Sequence, residues 1–407
     1  MSARPAAPKG ARPAVRSTEG SPVSTVPDLA GHLRVHPGAP LAQALHSSRR
    51  DWAAQLGPGQ PAAALPGLLA SLFNLCSHAH RLCAQLAIEA AQPGAGPAPS
   101  EVAQRLRHET AQEHVRRIGL DWPRLLGSAG GAAQEAALRS LRACPLLKGA
   151  AAGDDPWPAA LDWLQTEWLQ MPAATWLRAW QACGADWLLD WSTRHDRWLP
   201  ALVRGAREAD TGPALDMDLA LRAHGGDDAL RTLAAALALE PGFALRPQWH
   251  GACAHTGPWA RLNGADDGLP LTPWALLGSR LAELVRLCLP DGAGQGGGWL
   301  RHGALRCPDG QGLAWVEMAR GLLVHQVGID PSRAGDAATV RSCRVLAPTE
   351  WNFHPAGEVA RRISALDTRL PAALRERQLH LLMAAFDPCV PFEVVTEQAV
   401  DGEVAHA

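Results

Sequence analysis

The sequence predicts a mostly α-helical protein with small β elements, an α+β fold. Before residue 290, apolar residues recur at helical spacing in several long segments. After residue 300 the texture changes to strand-favouring runs separated by turn residues. Hydrophobic content of 47% against 19% charged supplies the apolar area for a packed core and excludes wholesale disorder. At 407 residues the length alone suits one large domain or two moderate ones.

The elements follow in order. Residues 1–26, rich in Ala, Pro, Arg and Ser, read as a disordered tail. Leu33-Arg34-Val35 is a short strand. From Pro61 to Glu89, Leu68, Leu72, Leu75, Cys76, Cys83 and Leu86 keep helical spacing, which predicts one largely buried helix. The Gly/Pro-rich residues 92–97 break it. A polar helix with Glu101, Arg105, Arg107 and Glu113 comes next. Residues 157–198 hold eight of the sixteen tryptophans. The pairs Trp176/Trp180 and Trp187/Trp191 are spaced four apart and so share helix faces. Helices around Leu215–Leu239 and Trp274–Leu289 flank a polar loop, Asn263–Gly268. The glycine run at 292–298 is a flexible connector. Gly312–Ile329 and Ala338–Leu346 read as a long hairpin, and helices near Glu358–Leu366 and Ala372–Phe386 close the chain. No internal repeat is evident.

Composition excludes several functions. Lys plus Arg is 38 and Asp plus Glu 40, a net charge of -2, so nothing favours nucleic acid as the main partner. There is no tyrosine, hence no phenol for general-acid work. No apolar run reaches the ~18 residues that membrane insertion requires, and the basic N-terminus lacks the apolar stretch of a secretory signal. Nine scattered cysteines suit a reducing compartment, and a cytoplasmic location is expected.

Five stretches are candidates for chemistry or binding, each with a plainer alternative. On a helix, Cys76, His80 and Cys83 at i, i+4 and i+7 share a face that either binds a soft or borderline metal or packs as small buried residues. Asp387-Pro388-Cys389 ends a helix and presents a thiol at a rigid corner, reactive or structural. His250-Gly-Ala-Cys253-Ala-His255 resembles a metal clip without a second half and reads as a loop. The glycine run follows a helix and lacks a Lys-Ser/Thr, so it fits neither a P-loop nor a dinucleotide fingerprint. The tryptophan-rich segment is either core or a docking face for another protein. There is no serine nucleophile elbow and no paired-carboxylate signature.

Taken in order, these pieces resemble the large subunit of nickel–iron hydrogenases. Ala30-Gly-His-Leu-Arg34 is similar to that family's Arg-x-Glu-Gly-His-Leu, and residues 73–83 to its Cys-x-x-Cys-x-x-x-His. Glu317-Met-Ala-Arg320-Gly321 and His325 are similar to Glu-Ala-Pro-Arg-Gly-x-x-x-His, with Ala319 in place of proline. Pro348-Thr349-Glu350-Trp351-Asn352 is similar to Pro-Ser/Thr-Thr-Trp-Asn, and Phe386-Asp387-Pro388-Cys389 to the start of Asp-Pro-Cys-x-x-Cys-x-x-His. The departures are specific. Phe73 and Phe392 stand where the family has two of its four cysteines, Ala30 where it has an acid implicated in proton transfer, and Val395 where it has a histidine preceding proteolytic trimming. Trimming is therefore not expected.

Two remaining thiols cannot close a four-sulfur nickel site, so the resemblance implies a protein that is not an enzyme and holds no nickel. Its pattern is that of the HupK/HoxV-type hydrogenase assembly proteins. By that resemblance Cys76 and Cys389 are the metal-binding residues, Arg320 and Thr349 bind the cyanides of iron, and His80 lies near the first thiolate. Implied with it are a single domain over residues 27–407, folded as the large subunit's long helix bundle, and a scaffold transiently carrying an Fe(CN)2CO unit. The implied partners are accessory proteins of the HypC/HypD type and the apo large subunit of the hydrogenase. The alternatives are a cofactor-free folding chaperone, a degenerate large subunit, and an unrelated zinc or redox protein using Cys76, His80 and Cys83. The iron-carrying reading requires the two sulfurs to lie within ~8 Å of each other with Arg320 and Thr349 facing the gap.

Overall fold

A computed structural model of the chain describes residues 30–92, 99–127, 131–148, 155–216, 220–262, 271–292, 295–330 and 338–395. The tail to residue 26, the Asn263–Gly268 loop and the hairpin tip at 331–337 lie outside the described residues. Within them the fold is α+β as predicted: many helices, one three-stranded sheet and one four-stranded sheet.

The small sheet joins the two ends of the described chain. Strand β1 (Leu33–Val35) pairs antiparallel with β2 (Leu45–Ser47) on one side. On the other it pairs in parallel with β7 (Phe392–Val394), with Leu33 opposite Phe392 and Val35 opposite Val394. Leu33 and Val35 are fully buried while Arg34 points to solvent, the period-two alternation of a half-buried strand.

The larger sheet is an antiparallel meander of β3 (His302–Cys307), β4 (Gln311–Met318), β5 (Gly321–Ile329) and β6 (Val340–Leu346). The run read as one hairpin arm, Gly312–Ile329, is thus two strands reversing tightly at Ala319-Arg320. Gly321 follows with φ 135, and a Cβ there would meet the Thr256 side chain at 2.5 Å. Alternate residues of the sheet feed two cores. Ala314, Val316, Leu323 and Val327 face the main one, whereas Leu313, Leu322, Val324 and Leu346 join a smaller cluster with Leu233, Leu237 and Trp351. Burial on both faces explains why all nine residues of β5 are inaccessible.

Two helical readings and the glycine connector need correction. The Pro61–Glu89 stretch is two helices, Leu65–Leu72 and Ser77–Ala91, meeting at 108°. Phe73 leaves helical geometry at φ -115, ψ 59, and a short 3-10 turn, Asn74–Cys76, intervenes. Apolar periodicity continues across this break because both helices bury a face, so spacing alone could not reveal it. The Leu215–Leu239 reading shortens to Asp227–Leu239, which starts after Gly225-Gly226 with two aspartates in its first turn. Of the glycine run, Gly296–Gly298 form a 3-10 turn, and the Gly297 N–H donates to Asp291 Oδ1 at 2.8 Å. A carboxylate already takes the amide that a phosphate would need.

The Pro99–Arg116, Pro273–Cys288, Glu358–Ser364 and Ala372–Phe386 helices follow the prediction closely. Every residue of the second from Trp274 to Cys288 is buried, including Arg280, Glu283 and Arg286. The tryptophan-rich segment is core. Trp163, Trp168, Trp176, Trp180, Trp191 and Trp198 are buried, Trp157 and Trp187 are half-buried, and Trp176 stacks on Trp180 with ring centres 6.0 Å apart. No exposed tryptophan remains there to form a docking face. No single helix among the described residues is long and apolar enough to cross a membrane.

Candidate functional site

The pairing of β1 with β7 brings the C-terminal thiol back towards the N-terminal half. Cys389 sits in the turn between the Ala372–Phe386 helix and β7. Asp387, the residue closing that helix, takes a left-handed conformation at φ 50 and turns the chain. The half-buried Cys389 sulfur accepts from Thr349 Oγ1 at 3.0 Å and from Arg49 Nη1 at 3.4 Å. Its backbone N–H donates to the same Thr349 hydroxyl at 3.2 Å, so that hydroxyl is fixed from both sides. Thr349 itself is held in the first turn of the short Pro348–Asn352 helix.

Cys76 occupies the position just before the Ser77–Ala91 helix, at 6% exposure. The N-terminus of that helix is capped from outside: Glu109 accepts from the N–H groups of His78 and Ala79 at 2.6 and 2.7 Å. Burial pushes the Cys76 thiol pKa up. Arg320 pulls it the other way, and Cys389, Glu109 and Glu113 add to the rise. Burial raises the Glu109 carboxyl to about 7 against the pull of its two backbone bonds. The two thiols thus share one electrostatic neighbourhood with Arg320.

Arg320 lies in the β4–β5 reversal, 1% exposed. Nη2 donates to Glu113 Oε2 at 3.3 Å, and Nε stands 3.4 Å from Asp387 Oδ2. The second contact is an ion pair without hydrogen-bond alignment, so Nε and Nη1 are buried donors with no acceptor. Burial opposes the charge, but Asp387, Glu113 and the two thiols outweigh it and keep the guanidinium protonated. Asp387 is itself ringed by guanidiniums: Arg117 Nε at 3.0 Å, Arg280 Nη1 at 3.2 Å, and Arg320. These outweigh burial and pull its pKa down to about 2.

His80 is buried, stacks on Phe73 with ring centres 4.1 Å apart, and shares a hydrogen bond of 3.0 Å between its Nδ1 and His325 Nε2. Burial, then His325 and then Arg49, lower its pKa, so it stays neutral. Its polar contact is thus with His325 rather than with a thiol.

The other motifs do not assemble into metal sites. Cys83 faces the large sheet and donates to the Ala314 carbonyl at 3.3 Å, so Cys76, His80 and Cys83 do not form one ligand face. The reason is that the helix starts only at Ser77, which leaves Cys76 off helical geometry at φ -131, ψ 43. Cys253 Sγ pairs with His354 Nδ1 at 3.1 Å, and His255 Nδ1 accepts from Trp259 at 2.9 Å, so the 250–255 segment does not converge either. Among the described residues no group of three or more His, Cys, Asp or Glu is arranged to hold a metal ion. The arrangement offers two thiols, with cationic and hydroxyl donors around them.

The Cys389 turn lies between two clefts. One, of about 770 Å³, is lined by Leu75, Glu113, Arg117, Asp387, Cys389 and Phe392. The other, of about 630 Å³, is lined by Leu33, Leu45, Arg49, Thr349, Glu350 and Phe353. Sequence reasoning missed Arg49, Arg117, Arg280 and Glu350. For Arg280 a signal existed, since it is one of three charges, with Glu283 and Arg286, in a largely apolar helix, and charges buried there demand partners. Arg49 lies in a short polar stretch without periodicity and gave none.

No protein-family model matches the chain. The hydrogenase expression/formation protein HoxV of Cupriavidus necator is 38% identical over 387 residues, covering 93% of this chain and 98% of its own length. The hydrogenase expression/formation protein HupK of Bradyrhizobium diazoefficiens is 30% identical over 382 residues, covering 89% and 95%. Among solved structures, an NAD+-reducing [NiFe]-hydrogenase in the H2-reduced state gives a TM-score of 0.48 at 15% identity, covering 86% of this chain and 93% of that one.

Proposed function

The chain belongs to the family of hydrogenase expression/formation proteins that includes HoxV and HupK, and from that premise we propose that it is a non-catalytic scaffold in nickel–iron hydrogenase maturation. Its cargo is an Fe(CN)2CO unit, taken from accessory proteins of the HypC/HypD type and passed to the apo large subunit. One observation carries the reading. Two thiols share a neighbourhood with a buried guanidinium that has uncommitted donors, and one of the thiols is gripped by a hydroxyl.

The chemistry is consistent with that cargo. Thiolates are soft ligands suited to iron. A cyanide nitrogen on iron is an anionic acceptor, and a guanidinium offers several fixed donors that remain charged when buried. Nη1 and Nε of Arg320 would otherwise be left unsatisfied, at a cost of about 1–3 kcal/mol each. The raised Cys76 thiol must lose its proton to bind, so loading releases protons. Two sulfurs in place of a closed set leave the cargo removable, as a carrier requires. Phe73, stacked on His80, and Phe392, at the cleft wall, supply rings where nickel would need thiolates.

A cofactor-free chaperone is the second reading, favoured by the absence of a three-ligand cluster among the described residues. Infrared spectra of the full chain, purified anaerobically from a maturation-competent host, separate the two. The carrier reading expects cyanide and carbonyl bands that vanish in Cys76→Ser and Cys389→Ser, together with loss of hydrogenase maturation. A spectrum without those bands, with maturation surviving both substitutions, rejects it in favour of the chaperone.

A further inference from the structure

We infer that Arg49, positioned by Glu350, is a second cyanide-recognising cation of this site, exchanging its bond to the Cys389 sulfur for one to the incoming iron fragment. The inference rests on the cargo reading above and adds a residue that no motif in the sequence marks.

The free donors of Arg320 and the hydroxyl of Thr349 do not account for every acceptor of the cargo. Thr349 has one hydroxyl hydrogen, and it is spent on the Cys389 sulfur. Arg320 approaches the thiols from the side of Glu113 and Asp387, and its two unpaired N–H groups, Nε and Nη1, sit on one rigid head group there. A dicyano fragment carries two separate cyanide nitrogens. Arg49 reaches the same sulfur from the other cleft, where it lines the wall with Thr349 and Glu350. Its Nη1 donates to Cys389 Sγ and to the Ala30 carbonyl, both at 3.4 Å; the oxygen contact is long and the sulfur is a weak acceptor, so either is exchanged for a better one. Its Nε donates to Glu350 Oε1 at 2.5 Å, a short charge-assisted bond that anchors the head group. Among the described residues Nη2 makes no hydrogen bond.

Two features show that the guanidinium is built in rather than draped over the surface. Its side chain is 11% exposed and that of Glu350 is 6%. A long arginine in contact with solvent would normally extend its head into water. Here Glu350 holds it back, with Oε2 buried and itself unpartnered, ready to take a second guanidinium N–H when Arg49 shifts. The floor beneath is made of small residues. Gly31 has φ 73, and a Cβ there would come within 2.9 Å of Arg49 Cα, so only glycine lets the strand entry pass under the arginine. Arg320 and Arg49 both act on the two thiols, and their N–H donors favour a metal fragment that carries acceptor ligands over a bare divalent cation, which offers none.

The test uses anaerobically purified full-length protein carrying iron, with infrared spectra and iron per chain after gel filtration as readouts. Arg49→Gln should shift at least one cyanide band and lose iron about tenfold faster than wild type, the scale of one charged hydrogen bond. Glu350→Gln should shift the same band in the same direction. Arg50→Gln, on the neighbouring exposed residue, should change neither readout. Wild type with cyanide bands and Arg49→Gln with identical bands and iron content would overturn the inference while leaving the carrier reading intact. No cyanide bands in wild type would overturn both. Should Arg49→Gln not fold, Arg49→Lys keeps the charge with a different donor geometry. Unshifted bands in that variant refute the inference, and a shifted band supports it.

Discussion

Glu283→Gln is the sharpest test of the buried charge network that supports the site. Glu283 is fully buried on the Pro273–Cys288 helix. Its Oε1 accepts from Arg261 Nε at 2.8 Å and Trp299 Nε1 at 3.0 Å, and its Oε2 from Arg261 Nη2 at 2.6 Å and His114 Nε2 at 2.8 Å. Glutamine has the same shape, so it opens no cavity, but one oxygen becomes an NH2 donor. At the Oε2 position that donor would face Arg261 and His114. The His114 ring cannot turn acceptor there, because its Nδ1 already receives Arg280 Nη1 at 3.2 Å, which leaves the ring proton on Nε2. Swapping the amide's ends moves the conflict to Trp299 and Arg261 Nε. Either way a buried guanidinium loses its counter-charge, which costs about 3–5 kcal/mol, a large share of the ~5–15 kcal/mol that stabilises ordinary domains.

The sign with pH follows from the wild-type carboxyl. Burial would raise its pKa, but Arg261 and His114 outweigh burial and hold it far below the ordinary value of 4.5. Such a group contributes stability above its unfolded pKa and loses it as pH falls through the folded one. The gap between wild type and Glu283→Gln should therefore be constant from pH 8 to 5 and begin to narrow below about pH 4. Urea unfolding followed by tryptophan fluorescence measures it. A loss under about 1 kcal/mol at pH 7, with an unchanged urea slope, would show that the network rearranges around the amide and refute the reasoning.

Two further outcomes are expected. Burial lowers the pKa of His325 from 6.5 to about 3, so its neutral form stabilises the fold above pH 6.5 and that contribution drains away as pH falls towards 3. Glu109, pushed up to about 7, acts in the opposite sense between pH 7 and 4.5 and flattens the total curve. The stability difference between wild type and His325→Gln isolates the histidine: it should shrink by about 1.4 kcal/mol per pH unit between pH 6 and 4, and a pH-independent difference would contradict the assignment. Gly312→Ala would place a Cβ 2.0 Å from the Ala87 carbonyl oxygen and 2.6 Å from the Ala91 nitrogen, both backbone atoms of the helix lying on β4. A loss of about 1–3 kcal/mol or more in chemical denaturation is expected, and an unchanged midpoint would mean that the helix does not pack against the sheet as described.

The candidate site was legible in part. Cys76, Cys389, Arg320 and Thr349 stood out because each sits in a short motif whose order along the chain is distinctive. The reading of Cys76, His80 and Cys83 as one helix face failed at Cys76, which at φ -131, ψ 43 lies outside the Ser77–Ala91 helix, whose start Glu109, 30 residues away, caps. The docking role offered to the tryptophans failed for a similar reason. Spacing shows that Trp176 and Trp180 share a face, but not whether solvent or Trp191 lies against it.

The sequence by itself determined what is local. Breakers and apolar periods set most helix and strand positions, and the residues present at each motif set which ligands are missing. Only the tertiary structure decided what depends on partners far along the chain. It alone pairs β1 with β7, rings Asp387 with three arginines, and brings Arg49 across 340 residues to the Cys389 sulfur. The physical reason is that a buried charge takes its meaning from the groups that compensate it, and nothing in a charged residue's immediate neighbours along the chain specifies which distant ones those are.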